Sequence, residues 1–373
     1  MLSSARRPVQ HPSPRVRRAR RGLIAARIAA GVVALAASGC GGSAASSTSA
    51  GTSARHSASL VSAPARSTKG TGTTPDATAR GAVPARAPFA VGLRVVTFVD
   101  RSRLVQIPGA GLQPRTLVTL IRYPAALGRA QRTDVRDAPP LRTAGRLPLV
   151  IFGHGFTLTP APYAPLLQAW ARAGYVVAAP IFPLEKANAP GGPDESDLVD
   201  QPGDMSFVIT RMLNADSDSH SFLHGLLDSR EIAVSGHSDG GDTALTVAYD
   251  PRFIDRRVRA AVILSGAKIP GLADFRFPTP SSPLLTTQGT ADTINPPSFT
   301  HAFFDGAPPP KYLLDLLGAP HLGPYSGEQP FTGIVERVTI AFLDHYLKGG
   351  RRGLARMRSA GDVNGVSVLE SYP

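Results

Sequence analysis

The feature that most constrains this chain is a glycine-rich run, GHSDGG, at residues 236–241. It follows a short apolar run at 232–235 that is typical of a buried strand, and a helical pattern at 242–249 comes directly after it. A serine in a sharp strand-to-helix turn needs neighbours without side chains, because the backbone must close tightly for the hydroxyl to project above the sheet. This context predicts a nucleophile elbow with Ser238 as the nucleophile.

A serine nucleophile needs a histidine base, and the base needs a carboxylate that fixes its tautomer. For an elbow of this kind the expected chain order is serine, acid, histidine, so both partners should follow Ser238. Asp292 comes just after a predicted strand at 284–288, and His321 comes after one at 312–317. Since open α/β sheets place catalytic groups at the carboxyl ends of strands, we predict Asp292 as the acid and His321 as the base.

Other downstream residues fit these two roles less well. His301 and His345 fall inside helical patterns, where histidine is more often a surface or packing residue. Asp315 lies within a predicted strand, and Asp305 lies in a predicted turn. An alternative for Asp292 is a turn-forming or helix-capping role.

A second glycine-rich segment, FGHGF at 152–156, ends the predicted strand at 147–152. Its glycines let the backbone approach a substrate, so we predict the N–H of Phe156 as one donor to a tetrahedral oxyanion. The N–H of Asp239 is the predicted second donor. We assign His154 a structural role, because it precedes the nucleophile and no cluster of metal ligands accompanies it.

The formal net charge of +13 is concentrated at the start of the chain. Residues 1–90 hold thirteen of the 40 Lys and Arg residues but one of the 27 acids, so the remainder is close to neutral. A nucleic-acid-binding domain carries its basic excess on the folded surface, so this distribution argues against nucleic acid as a partner.

Residues 1–40 are organised as an export signal, with an arginine-rich start and an apolar run at 28–37 that is too short to span a bilayer. Residues 20–24 resemble a twin-arginine motif, and residues 37–40 resemble a bacterial lipobox with Cys40 as the lipidation site. An ordinary cleavage site is the alternative. We therefore expect an exported protein, anchored to the outer face of the cytoplasmic membrane by a lipid on Cys40 or otherwise secreted.

The rest of the chain divides into two parts. Residues 41–88 are rich in Ser, Ala, Thr, Gly and Pro, which predicts a disordered tether. In residues 89–373, short apolar strands alternate with helical stretches, which predicts an α/β domain with a mainly parallel central sheet and helices on both faces. Because the chain has a single cysteine, it forms no intrachain disulfide.

Cofactor signals are missing from the sequence. It has no HExxH, no Walker A run and no dinucleotide fingerprint, so we expect neither a metal nor a cofactor. A group of acidic residues at 194–204 has the oxygen ligands that Ca²⁺ prefers, but we interpret it as a solvated acidic loop. Trp170 lies on an apolar helix face and is predicted to be a core residue.

Four segments, FGHGF, GHSDGG, GTADTINPP and GAPHLGP, occur in this order within residues 147–347. Together they resemble the α/β-hydrolase superfamily, and within it bacterial esterases related to polyester hydrolases and cutinases, chlorophyllases and platelet-activating-factor acetylhydrolases. In polyester hydrolases an aromatic residue supplies an oxyanion N–H, and Phe156 takes that place here. Those enzymes usually carry a C-terminal disulfide, which a chain with one cysteine cannot form.

These observations predict a serine carboxylic-ester hydrolase that acts through an acyl-enzyme with a Ser-His-Asp triad. The expected substrate is a small-molecule, lipid or polymer ester, and contact with a membrane is expected only through the N-terminal lipid. Two alternatives stay open: an acyltransferase on the same scaffold, and a non-catalytic surface-anchored binding protein. Acyl chain length, alcohol and oligomeric state are not encoded in these motifs.

Overall fold

The computed structural model describes residues 88–127 and 133–373. The predicted export signal with Cys40, and the predicted tether apart from Pro88, lie outside the described residues. In the part of the chain that is described, no helix is both long and apolar enough to cross a membrane.

The described residues form one ten-stranded sheet with seven α-helices around it. The strands are β1 (Ala90–Ile107), β2 (Gly111–Ala125), β3 (Val135–Arg136), β4 (Leu147–Gly153), β5 (Val176–Ile181), β6 (Leu227–His237), β7 (Val258–Leu264), β8 (Leu284–Gly289), β9 (Lys311–Leu316) and β10 (Ser367–Tyr372). The helices are α1 (Ala164–Arg172), α2 (Gln201–Ser217), α3 (Asp239–Tyr249), α4 (Pro297–Gly306), α5 (Gly323–Ser326), α6 (Phe331–Lys348) and α7 (Gly353–Gly361).

The strand order is β10-β9-β8-β7-β6-β4-β5-β2-β1-β3. From β5 to β9 every neighbouring pair is parallel, whereas β2 joins β5, β1 joins β2 and β10 joins β9 in the antiparallel sense. The predicted α/β fold with a mainly parallel sheet is therefore confirmed. The loops after the parallel strands β4, β6, β8 and β9 all leave from the same edge of the sheet.

The strand β4 shows how the sheet is buried on both faces. Leu149 and Ile151 belong to the core cluster that includes the apolar face of α2, and the alternate residues Val150 and Phe152 belong to the cluster that includes α1 and α6. A strand covered on both faces reads as a continuous apolar run, as this one does in the sequence. Trp170 is fully buried in the second cluster, where its indole N–H donates to Thr339 Oγ1 at 2.9 Å.

The acidic segment at 194–204 differs from the solvated loop that the sequence suggested. Asp197 and Asp204 are buried, and both accept hydrogen bonds from the buried guanidinium of Arg115 in β2, with N–O distances of 2.6 to 2.8 Å. Arg103 in β1 also pairs with Asp204, at 2.7 Å. The solvated interpretation is thus wrong for these two carboxylates, because a partner from the antiparallel strands compensates their charge in the interior.

Candidate active site

The turn between β6 and α3 holds Ser238 in a strained conformation, with φ 53° and ψ −125°. Glycine is required two residues before Ser238 and two residues after it. A Cβ on Gly236 would lie 2.0 Å from the carbonyl oxygen of Gly240, and a Cβ on Gly240 would lie 2.2 Å from that of Gly153. These backbone contacts explain the glycines of the GHSDGG run, and they pack the start of α3 against the end of β4.

The loop after β8 and the loop after β9 bring Asp292 and His321 together. Asp292 Oδ2 is 2.7 Å from His321 Nδ1, and Oδ1 accepts the backbone N–H groups of Ile294 and Asn295, both at 2.9 Å. Asp292 therefore forms a turn and binds the histidine with its two separate oxygens. Since a carboxylate only accepts hydrogen bonds, the proton lies on Nδ1 of neutral His321, and its Nε2 is left as a base.

His321 also lies against the serine turn. Its ring centroid is 4.5 Å from that of His237, the residue before Ser238, and its carbonyl oxygen is 2.9 Å from His237 Nε2. The Ser238 hydroxyl makes no hydrogen bond with His321 among the described residues. Such bonds are often long in ligand-free enzymes and shorten when substrate binds. The geometry thus joins the predicted acid to the predicted base and places the base next to the serine turn.

The glycine-rich loop after β4 covers the serine from the other side. A Cβ built on Gly155 would lie 3.1 Å from Ser238 Cβ, so the loop backbone approaches the serine as closely as a glycine allows. The N–H of Phe156 donates to no backbone carbonyl of the described residues. Asp239 is the first residue of α3, where amide groups lack partners within the helix. Both predicted donors therefore lie beside Ser238 without a partner from regular secondary structure.

His154 fixes the peptide group that carries the Phe156 N–H. It is fully buried, its Nε2 accepts the N–H of Phe182 at 3.0 Å, and its Nδ1 donates to the carbonyl oxygen of Gly155 at 3.0 Å. Burial lowers the pKa of His154 to about 4, so the ring is neutral near pH 7. Because C=O and N–H point in opposite directions across a trans peptide, holding the Gly155 carbonyl sets the direction of the Phe156 N–H.

The other downstream candidates lie elsewhere. His301 Nε2 is 3.3 Å from Asp315 Oδ1, a pair between α4 and β9, and His345 Nδ1 is 3.2 Å from the carbonyl oxygen of Gly350. Neither histidine is hydrogen-bonded to Asp292.

Three buried carboxyl groups next to Ser238 were not predicted from the sequence. Of these residues, only Asp239 was considered, and only for its backbone N–H. Glu185, Asp239 and Asp242 are all buried, and the carboxyl group of Glu185 lies beside that of Asp239, with Gln201 as another polar neighbour. Burial and mutual repulsion raise the pKa of Glu185 and of Asp242 well above the usual range. Burial also raises the pKa of Asp239 to about 6. Protonation of Glu185 and Asp242 removes negative charge from the surroundings of Ser238.

The raised pKa of Glu185 predicts a pH-dependent stability. A carboxyl group that is protonated in the fold favours folding at low pH, and this contribution is lost as the pH rises through the folded-state pKa. Relative to Glu185→Gln, the wild type should lose unfolding free energy between pH 4.5 and pH 8, because ionising this buried carboxyl group is less favourable in the fold than in the unfolded chain. Urea denaturation at a series of pH values measures this difference.

The exposed Glu328 provides a matched control, since Glu328→Gln changes the same chemical group at the surface. Its stability should follow that of the wild type at every pH. Parallel curves for Glu185→Gln and the wild type would contradict the protonated state of Glu185.

A mostly parallel sheet with a strained serine turn after its central strand β6 is the architecture of the α/β-hydrolases, and this chain has the α/β-hydrolase fold. Residues 138–263 match the family model named Chlorophyllase, and this match indicates a hydrolase that acts on esters. The matched segment contains Ser238 and the glycine-rich loop, and it ends before Asp292 and His321. The curated proteins include no match to the chain.

Proposed function

We propose that this chain is a serine carboxylic-ester hydrolase that acts through an acyl-enzyme. Ser238 is the nucleophile, His321 the general base and acid, and Asp292 the carboxylate that holds His321 in the required tautomer. The backbone N–H groups of Phe156 and Asp239 stabilise the oxyanion.

The proposed reaction begins when His321 Nε2 takes the proton of the Ser238 hydroxyl and Oγ attacks the ester carbonyl carbon. The carbonyl π electrons move to oxygen, where the two backbone donors stabilise the negative charge. Collapse of this intermediate breaks the bond to the alcohol oxygen, which leaves with the proton from His321. Water then attacks the acyl-enzyme by the same steps, so that the acid is released and Ser238 is regenerated.

One observation carries the proposal: the 2.7 Å contact of His321 Nδ1 with Asp292 Oδ2, in a loop that lies against the turn of Ser238. A histidine fixed by a carboxylate through Nδ1, with Nε2 unprotonated, is the arrangement that general-base activation of a serine requires. The strained turn at Ser238 and the ester-hydrolase family match support the same conclusion.

A hydrolysis screen tests this function. The purified chain should release p-nitrophenol from p-nitrophenyl esters in a series from acetate to palmitate, and the dependence on chain length should report the size of the acyl site. Ser238→Ala serves as the blank for every ester. Equal rates with the wild type and with Ser238→Ala across the whole series would refute the proposal.

A further inference from the structure

A chain of hydrogen bonds runs behind Ser238 and connects the loop of His321 with the loop of Phe156. His237 Nε2 is 2.9 Å from the carbonyl oxygen of His321, and His237 Nδ1 is 2.8 Å from the hydroxyl of Tyr163. The same hydroxyl accepts the backbone N–H of Gly155 at 3.2 Å.

The direction of every bond in this chain is fixed by chemistry. A carbonyl oxygen only accepts, so His237 Nε2 must carry a proton and donate it to His321. Burial and the nearby His321 lower the pKa of His237 well below its usual value, so the ring is neutral and Nδ1 is an acceptor. Tyr163 must then donate to Nδ1, which leaves its oxygen to accept the N–H of Gly155.

Both side chains are held without freedom to adjust. His237 is 1% exposed and Tyr163 is fully buried. The His237 ring packs against Tyr163, His321 and Tyr325, with centroid distances of 5.5, 4.5 and 5.0 Å respectively. A group buried this completely keeps its hydrogen bonds, because breaking one leaves an unsatisfied polar atom that costs about 1–3 kcal/mol.

Gly155 is the residue at which this series of hydrogen bonds reaches the proposed oxyanion site. Its N–H is held by Tyr163 and its carbonyl by His154, so both peptide groups of the residue have fixed directions. The next N–H along the chain is that of Phe156. At the other end, the carbonyl that His237 holds belongs to His321 itself.

We propose that His237 and Tyr163 are positioning residues that hold the loop of His321 and the loop of Phe156 in a fixed relation across Ser238; this role rests on the proposed function. The base acts on the serine hydroxyl and the oxyanion donor acts on the ester carbonyl oxygen in the same transition state, so their separation has to be kept within a fraction of an ångström. A misplacement of about 1 Å can reduce a rate by about 100-fold. The hydrogen-bond chain provides this constraint without touching the substrate.

The test uses Tyr163→Phe and His237→Gln in the full chain, with one soluble p-nitrophenyl ester as the substrate. Tyr163→Phe keeps the ring and removes the oxygen that joins Gly155 to His237. His237→Gln keeps an N–H donor for the His321 carbonyl and breaks the link to Tyr163. Each variant should lower kcat by about 10- to 100-fold, with KM changed by less than about twofold.

Two further measurements separate positioning from a general loss of packing. The double variant should be no slower than the slower single variant, because both substitutions break one connection. The rate of reaction with a fluorophosphonate should fall in parallel with kcat, since the phosphoryl oxygen of that probe occupies the oxyanion site.

Tyr249→Phe is the matched control. Tyr249 is also fully buried, and its hydroxyl donates to the carbonyl oxygens of Ser282 and Pro283 at 3.1 and 3.3 Å, with no link to Ser238. It should lose similar stability and keep the wild-type kcat. If Tyr163→Phe does not fold, His237→Gln carries the test against the same control.

The outcomes distinguish this role from the proposed function. Wild-type kcat in folded Tyr163→Phe and His237→Gln, together with an inactive Ser238→Ala, overturns the positioning role and leaves the hydrolase assignment standing. Additive losses in the double variant also overturn it. Retained hydrolysis in Ser238→Ala overturns the function on which the role depends.

Discussion

Ser238→Ala and His321→Ala are each expected to lower kcat by about three to six orders of magnitude, and the double variant is expected to be little worse than either single variant. The reason is that the nucleophile and its base act as one unit, so that removing either abolishes the same step. Asp292→Asn should cost less, at about four orders of magnitude or fewer, because the nucleophile and the base both remain. Steady-state kinetics on one p-nitrophenyl ester measure all four variants.

The histidine assignment has an internal control. His301 also pairs with an aspartate, at 3.3 Å from Asp315, but it lies between α4 and β9. His301→Ala should therefore keep wild-type kcat. A His321→Ala enzyme with near-normal turnover, or a His301→Ala enzyme that has lost it, would show that the base was assigned to the wrong residue.

Arg115→Met should lower the free energy of unfolding by about 3–5 kcal/mol, which is the usual cost of removing one partner from a buried ion pair. The guanidinium of Arg115 is 1% exposed and forms four hydrogen bonds with Asp197 and Asp204. Methionine fills similar space, but it leaves Asp197 buried without its ion-pair partner and leaves Asp204 with Arg103 alone. Urea denaturation followed by circular dichroism measures the change.

Arg230→Met is the control for this prediction. Arg230 also pairs with an aspartate, Asp228, but its side chain is 84% exposed, and surface pairs of this kind contribute little to stability. If Arg115→Met costs no more than Arg230→Met, the buried network does not hold β2 to the segment that leads into α2.

The same network is connected to the site through α2 and α3. Asp204 lies in α2, whose first residue, Gln201, accepts a hydrogen bond from Thr243 of α3 at 2.9 Å. Helix α3 begins directly after Ser238.

The local parts of the site could be predicted from the sequence because each motif is a strand followed by a turn with its own chemistry. The GHSDGG run was placed correctly between a strand and a helix, since its glycines are required by backbone contacts within the turn. Asp292 and His321 were found at the ends of β8 and β9 because the strand patterns were strong. The 2.7 Å contact between Asp292 Oδ2 and His321 Nδ1 is seen only in the structure.

Contacts between distant segments could not be predicted. Arg115 is separated from Asp197 by 82 residues and from Asp204 by 89 residues. Because no local pattern shows that Arg115 in β2 neutralises these carboxylates, the sequence predicted a solvated acidic loop. Helix α7 and strand β10 likewise lie beyond the last motif, and no sequence pattern predicted them.

His237 and Tyr163 were missed as a pair for a similar reason. They are separated by 74 residues, and His237 lies 84 residues from His321, so no local pattern joins them. In the sequence, His237 stands out only as the residue before Ser238. The sequence does show a histidine in each of the two glycine-rich motifs. The sequence alone does not show which residues these histidines contact.

The most direct test of the central claim is covalent labelling with a fluorophosphonate, followed by peptide mass spectrometry. The probe reacts with a serine that has been activated as a nucleophile, so we expect a single adduct on Ser238 in the wild type. Ser238→Ala should give no adduct, and His321→Ala should label far more slowly. An adduct on another residue, or labelling that persists in Ser238→Ala, would contradict the assignment of this serine as the nucleophile.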